Sequence, residues 1–453
     1  MSRRLKLQFS VRFLLLLGLL SALFFGYSLH TFRHLRSVEL ASDRLQGNNL
    51  IKLEPLERVH FSKFQRTFAN LMGIRISEMK QHLVINGDQN LAMLSELADL
   101  PNVDELTISE CRALPNLAFV TEKSNVSKIT LNACRISSFQ GIEYFDDLKS
   151  LTIRNCDGFS SFGELSLAKN ISHLSIECEF SPKQLVSAEG IGKLTNLQEL
   201  EVYTDSSTAA RIFMEVGSLA QLQKLVLLGG RDISDPKPLT ELKKLKTLIL
   251  RGVKFDPQTI SSLISLETLV LRSSTIGAEE DLRFLEPLKN LESLEISRFG
   301  NSFVRLNGVE SLSALHTFRL FPASDVKDLT KLNQLVGLEK LDLSGLEVNS
   351  IPESTSLPRL KTLSLRECPN LTNLHFLKQS KALENIEIIN CGELEDVRFL
   401  SSCLGLKLVV SMGCPKADAE LSKLPSTVSC EVGPKVVRIK PPVFLTRFLD
   451  EYP

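Results

Sequence analysis

Apolar residues return along this chain with one spacing that neither a lone helix nor a lone strand explains. It is clearest in Leu360-Lys-Thr-Leu363-Ser-Leu365-Arg-Glu-Cys368, written L-x-x-L-x-L-x-x-C. Close copies stand at Val103 to Cys111, Val126 to Cys134, Leu148 to Cys156, Leu245 to Val253, Leu266 to Ser274, Leu338 to Leu346 and Leu383 to Cys391. The fourth position falls at Leu106, Ile129, Leu151, Leu174, Leu200, Leu225, Leu248, Leu269, Leu294, Phe318, Leu341, Leu363, Ile386 and Val409. Successive steps run from 21 to 26 residues, so one unit recurs fourteen times, and Leu83 with Ile85 begins a fifteenth.

Within each unit the L-x-L pair alternates as a strand does, with two apolar side chains on one face and polar ones between them. The dozen or so residues that follow carry apolar positions at irregular spacing, which predicts a turn back and a return. One unit cannot bury its own apolar edge, so neighbours must stack, their strands parallel and about 4.8 Å apart. The prediction is an α/β solenoid, a curved stack whose core is the inward ladder of fourth and sixth positions.

The sustained period resembles the leucine-rich repeat superfamily over roughly residues 80 to 432. Repeat bodies such as Ile233-Ser-Asp-Pro-Lys-Pro-Leu-Thr-Glu-Leu-Lys-Lys-Leu-Lys-Thr-Leu are similar to the short internalin-like and phosphatase-regulator-like classes. The resemblance implies a horseshoe of 14–15 repeats with a parallel concave sheet. Three places depart from the pattern: Cys178 comes one residue early, Asp205 stands where Cys or Asn is expected, and Ser411 replaces an inward Leu.

Six of the nine cysteines, Cys111, Cys134, Cys156, Cys368, Cys391 and Cys414, occupy the ninth position, which in this family is a buried Asn or Cys. Free Cys is among the most buried residue types, and parallel side chains in register do not face one another as a disulfide requires. Ligands a whole repeat apart, with no local C-x-x-C pair, also do not match structural zinc. The ladder is therefore read as reduced and structural, with no metal.

The termini break the period. Arg3, Arg4, Lys6 and Arg12 mark a basic segment at residues 1–12, after which residues 13–32 form a 20-residue stretch without a formal charge. That length spans a bilayer as a helix, and the basic flank favours an inside N-terminus against Arg33, Arg36 and Arg44 beyond it. The repeats then face the extracytoplasmic side. A cleaved signal peptide releasing a secreted protein is the alternative. Residues 33–80 read as a stalk and N-terminal cap, with Phe61, Phe64, Phe68 and Leu71 at helical spacing. The solenoid spans residues 81–432, Val428-Ser-Cys-Glu-Val being its last strand remnant, and residues 433–453 form a C-terminal cap or tail.

Lys plus Arg and Asp plus Glu are both 53, so no global charge draws the chain to nucleic acid. No H-E-x-x-H, G-x-S-x-G, Walker loop or G-x-G-x-x-G motif is present, which points away from an enzyme and from any cofactor. His173, His316 and His375 are scattered, and the sequons at Asn125, Asn170 and Asn370 matter only in a eukaryotic secretory route.

The resemblance then implies a non-enzymatic, membrane-anchored scaffold, similar to bacterial members of the superfamily, that binds a protein or envelope ligand on its concave face. A regulatory subunit on the cytoplasmic side is the alternative, and an enzyme site assembled across repeats is a third. Positions three, five and seven project away from the core, and most are Ser, Thr, Glu or Lys. Repeats six to eleven instead present Tyr203, Val226, Leu228, Ile249, Arg251, Val270, Arg272, Arg319 and Phe321, types that dominate interfaces. Glu177, Glu199 and Glu201 beside them are expected to set a ligand's register.

Overall fold

The computed structural model describes residues 51–58, 79–88, 103–119, 124–178, 188–229, 237–273, 281–297, 305–321 and 328–433, together with residues 233, 275–276 and 326. The chain divides into two compact units, residues 1–196 and 197–453. The first contains β1 (Ile51–Arg58), β2 (Met79–Asn86), β3 (Val103–Ser109), β4 (Lys128–Asn132), β5 (Ser150–Arg154) and β6 (His173–Glu177). Strands β2 to β6 are parallel in chain order, and β1 runs antiparallel along the outer edge of β2, with Ile51 opposite Ile85. The helix expected over Phe61 to Leu71 lies outside the described residues.

The second unit contains β7 (Glu199–Tyr203), β8 (Lys224–Leu228), β9 (Thr247–Arg251), β10 (Lys254–Phe255), β11 (Thr268–Arg272), β12 (Thr275–Ile276), β13 (Ser293–Ser297), β14 (Thr317–Phe321), β15 (Lys340–Ser344), β16 (Thr362–Arg366), β17 (Asn385–Ile389), β18 (Leu408–Met412) and β19 (Ser429–Gly433). All its five-residue strands pair in parallel, repeat to repeat, and every fourth position stands opposite the next fourth position. The remnant at Val428 is thus a full strand, while β10 and β12 make a separate two-residue pair just after the turn.

In both units the fourth and sixth positions are sealed from solvent, Leu151, Ile153, Leu248, Leu250, Leu363 and Leu365 all at 0% exposure. The return segments are mostly 3-10 turns of three to five residues. The 25-residue step from Leu200 to Leu225 holds the ten-residue helix Ser206–Glu215, while the described residues of the equally long step from Leu269 to Leu294 hold only the 3-10 turn Arg283–Leu285. Asp205, out of pattern at the ninth position, caps that helix by accepting from the Ser207 and Thr208 amides at 3.0 Å each.

The turn after most of the described strands is built the same way. The eighth position is left-handed at Glu110, Ala133, Asn155, Gly229, Gly252, Ser273, Gly345, Glu367, Asn390 and Gly413. Six of these are not glycine, a conformation that costs side-chain-bearing residues energy and persists only where surroundings enforce it. The enforcing contact is a backbone bond from this amide to the seventh-position carbonyl of the next repeat. It measures 2.9 Å from Glu110 to Asn132, 2.8 Å from Ser273 to Ser297 and 2.8 Å from Glu367 to Ile389. The reversal sends the ninth side chain back into the core.

There the cysteines bond to backbone. The Cys134 thiol donates to the Ile108 carbonyl at 3.3 Å, one repeat earlier, while the Cys134 amide donates to the Cys156 sulfur at 3.4 Å. Cys391 and Cys414 repeat the arrangement, the Cys391 amide lying 3.3 Å from the Cys414 sulfur. Cys178, one residue early by spacing, takes the same place, receiving the Cys156 amide at 3.4 Å. Burial pushes its thiol up to about 12. All nine cysteines are free.

Among the described residues no helix is long and apolar enough to cross a membrane, and residues 13–32 lie outside them.

Because Leu363 is fully buried in the middle of the second unit's ladder, Leu363→Ala should lower unfolding free energy by about 2–5 kcal/mol. Lys361→Ala, at an exposed position, should change it by less than about 0.5 kcal/mol. Urea titration of both variants followed by circular dichroism checks the difference.

Candidate partner-binding face

With positions four and six turned to the core, positions three, five and seven form three rows on the open face of each unit's sheet. In the second unit the fifth-position row runs Glu201, Val226, Ile249, Val270, Glu295, Arg319, Asp342, Ser364, Glu387, Val410 and Glu431 across adjacent strands. The seventh-position row begins Tyr203, Leu228, Arg251, Arg272, Ser297 and Phe321.

The residues expected on this face differ in exposure. Arg251 is exposed, and Tyr203, Leu228, Ile249, Arg272, Arg319 and Phe321 are half-buried. Val226 and Val270, at 4% and 8% exposure, are not available as surface. A central-row side chain has neighbours about 4.8 Å away on both adjoining strands and further residues two along its own strand. Packing therefore governs much of the central row, against the expectation that all three outward positions are free of it. Tyr203, Leu228, Arg251 and Arg272 lie on consecutive strands of the main sheet, whereas Arg319 and Phe321 are set apart from Arg272 by β13.

The strand between supplies a residue that spacing alone did not single out. Glu295, only 5% exposed, accepts from Arg272 Nε at 2.8 Å, and its other carboxylate oxygen lies 3.6 Å from Arg319. A carboxylate this buried requires such pairing, since breaking it would strand a charge. Two strands further on, Arg366 bonds Glu387 at 2.8 Å, and Ser364 donates to the same oxygen at 3.0 Å. The sequence signal was an Arg at position seven with a Glu at position five one repeat later, a diagonal invisible when each repeat is read alone. The acids expected to set a ligand's register are likewise engaged: Glu177 with Arg154 at 2.9 Å in the first unit, Glu199 and Glu201 with Lys224 at 3.8 and 2.5 Å in the second.

Asp342 lies between the two ion-pair groups. It is 7% exposed, flanked in register by Arg319 and Ser364, and its Oδ1 has no hydrogen-bond partner. Burial pushes its carboxyl up to about 6, with the charges of Arg366 and Arg319 opposing that rise.

Among the described residues, His82 Nε2 lies 2.8 Å from the Thr107 hydroxyl, and His316 lies 3.2 Å from Thr317 Oγ1 and 3.3 Å from Glu292. His173 Nδ1 meets the hydroxyl of its sequence neighbour Ser172 at 2.8 Å on an exposed strand. His375 lies between Glu353 and Asp396, each 2.8 Å from one ring nitrogen, and these hydrogen bonds, Asp396 first, raise its pKa. Two carboxylates on two nitrogens call for N–H groups on both, which leaves no lone pair to act as a base. Among the described residues no three His, Cys, Asp or Glu are grouped to hold a metal ion.

No family model and no curated protein matches the sequence. Among solved structures, an internalin from Listeria monocytogenes is similar over 70% of this chain and 88% of its own, with a TM-score of 0.50 and 17% identity. The fold is that of the leucine-rich repeat proteins. A leucine-rich repeat protein of Leptospira interrogans is similar over 76% of this chain and 97% of its own, with a TM-score of 0.48 and 22% identity. The functional domain of InlJ from Listeria monocytogenes, described as including a cysteine ladder, covers 75% and 78% with a TM-score of 0.47 and 11% identity. In leucine-rich repeat terms, the rows described above are the sheet face of repeats six to fifteen and of the final strand β19.

An acid whose pKa is raised by folding stabilises the fold below its unfolded pKa, and that contribution is lost as pH rises through about 6. Asp342→Asn should therefore raise the melting temperature at pH 8, by the equivalent of about 3 kcal/mol. The gain should vanish by pH 4. Melting curves at pH 4, 6 and 8 decide it, and a lower melting temperature at pH 8 would show that the charge is held for stability.

Proposed function

We propose that this chain is a non-enzymatic, membrane-anchored scaffold that holds a protein partner on the open, concave face of repeats six to eleven. The observation that carries this reading is the composition of that face. An in-register sheet presents Tyr203, Leu228, Ile249 and Phe321 half-buried on the side away from the core, with Arg251 exposed among them. Aromatic, aliphatic and Arg side chains of this kind gain from burial against a partner and little from the solenoid itself. The shared leucine-rich repeat fold supports the reading at the level of architecture.

In this proposal residues 13–32 are an uncleaved single-pass helix, residues 33–80 lead into the repeats at 81–432, and residues 433–453 close the far end. The uncharged 20-residue length and the basic residues before it support an anchor with the repeats on the extracytoplasmic side.

Two measurements test the two halves. Full-length protein should stay with membranes through a carbonate wash, and removal of residues 1–35 should release it; a native N-terminus near Leu29 would show a cleaved signal peptide instead. Arg251→Glu combined with Phe321→Ser should abolish capture of the partner by the soluble repeats while leaving circular dichroism and melting unchanged. Capture that survives this pair, but is lost with a control pair on the return loops, would move the site off the sheet.

A further inference from the structure

Cations on the second unit's open face follow a rule with few exceptions. Lys224 meets Glu201, Arg272 and Arg319 share Glu295, and Arg366 meets Glu387, each pair within 4 Å and each joining adjacent strands. Among the described residues Arg251 has no such carboxylate. Its register neighbours are Leu228 on one side and Arg272 on the other, so the nearest charge along its row has its own sign. Arg272 is already held by Glu295, which leaves Arg251 as excess positive charge. At the roughly 4.8 Å spacing of adjacent strands, like charges in register repel, and nothing in the repeat fold requires an Arg at an exposed seventh position.

Around that charge the surface is apolar. Ile249 stands two residues before Arg251 on the same face, Leu228 is beside it, and Tyr203 is one strand further, all half-buried. A free inorganic anion would be drawn to the guanidinium but would make no use of these three side chains. A protein segment uses both.

We infer that Arg251 receives a carboxylate side chain of the partner protein, and that apolar residues next to that Asp or Glu lie on Leu228, Tyr203 and Ile249. The inference rests on the proposed role of this face and adds the chemistry of what it recognises. Arg is suited to the task because its planar fork takes a carboxylate through two hydrogen bonds.

The test places a photo-reactive benzoylphenylalanine at Tyr203 in the full-length chain, in its native cells, with a second chain carrying it at Phe321. Both replacements keep an aromatic ring. Cross-linked fragments are sequenced by mass spectrometry in the Arg251, Arg251→Lys and Arg251→Glu backgrounds. The expected result is a Tyr203 cross-link to one peptide with Asp or Glu within about three residues, the roughly 10 Å to Arg251 at 3.3 Å per extended residue. Its yield should fall about tenfold or more in Arg251→Glu and persist in Arg251→Lys. A cross-linked peptide without an acid, a yield indifferent to Arg251→Glu, or a cross-link to non-peptide envelope material overturns the inference. Cross-linking from Phe321 alone overturns it while leaving the wider face in use, and none from either position removes the proposed role of the face as well.

Discussion

The structure depends on one repeated backbone contact, the bond from the left-handed eighth residue of a repeat to the seventh carbonyl of the next. It locks register, since a slip by one residue would turn every inward Leu to the open face. It also holds a strained turn in residues as unsuited to it as Glu110, Ala133, Ser273 and Glu367. The energy for that strain comes from the apolar ladder, whose members at positions four and six are almost fully buried. Strand, turn and core are therefore one cooperative feature, repeated.

How legible this was in the sequence varies with the range of the interaction. The leucine period, the strand positions and the reduced cysteines could be read directly, because each follows from a pattern inside one repeat. Leu363 and Cys368 needed only their own nine-residue window. What could not be read depended on pairs of repeats. The burial of Val226 and Val270 arises from neighbours on adjoining strands, and the Arg272–Glu295–Arg319 group joins three repeats. Cys178 looked misplaced by counting, yet the chain enters the core one residue early there and the thiol meets the same backbone groups as its neighbours. Of the proposed site, the outward placement of the seventh-position residues was legible, while the acid that holds two of its arginines was not.

The second unit's open face pairs many of its own charges. These charges find opposite charges one strand away, which keeps a formally charged surface close to neutral and limits nonspecific attraction. Such pairing also fixes long side chains that would otherwise sweep the sheet. Specific recognition on such a face falls to the groups left outside the pairing, because those already paired must break a contact before making another.

The cysteine ladder has a consequence for how such a chain can change over time. Where a thiol reaches the adjacent repeat, as Cys178 and Cys414 each do with an amide and a carbonyl, it serves main-chain groups and takes no notice of which side chains those residues carry. A whole repeat duplicated or deleted by recombination would meet the same amide and the same carbonyl at its new boundary. The diagonal ion pairs lack this indifference, since a repeat moved by one place separates Arg272 from Glu295. The interior is thus open to shuffling of its units, while the face retains a memory of their order.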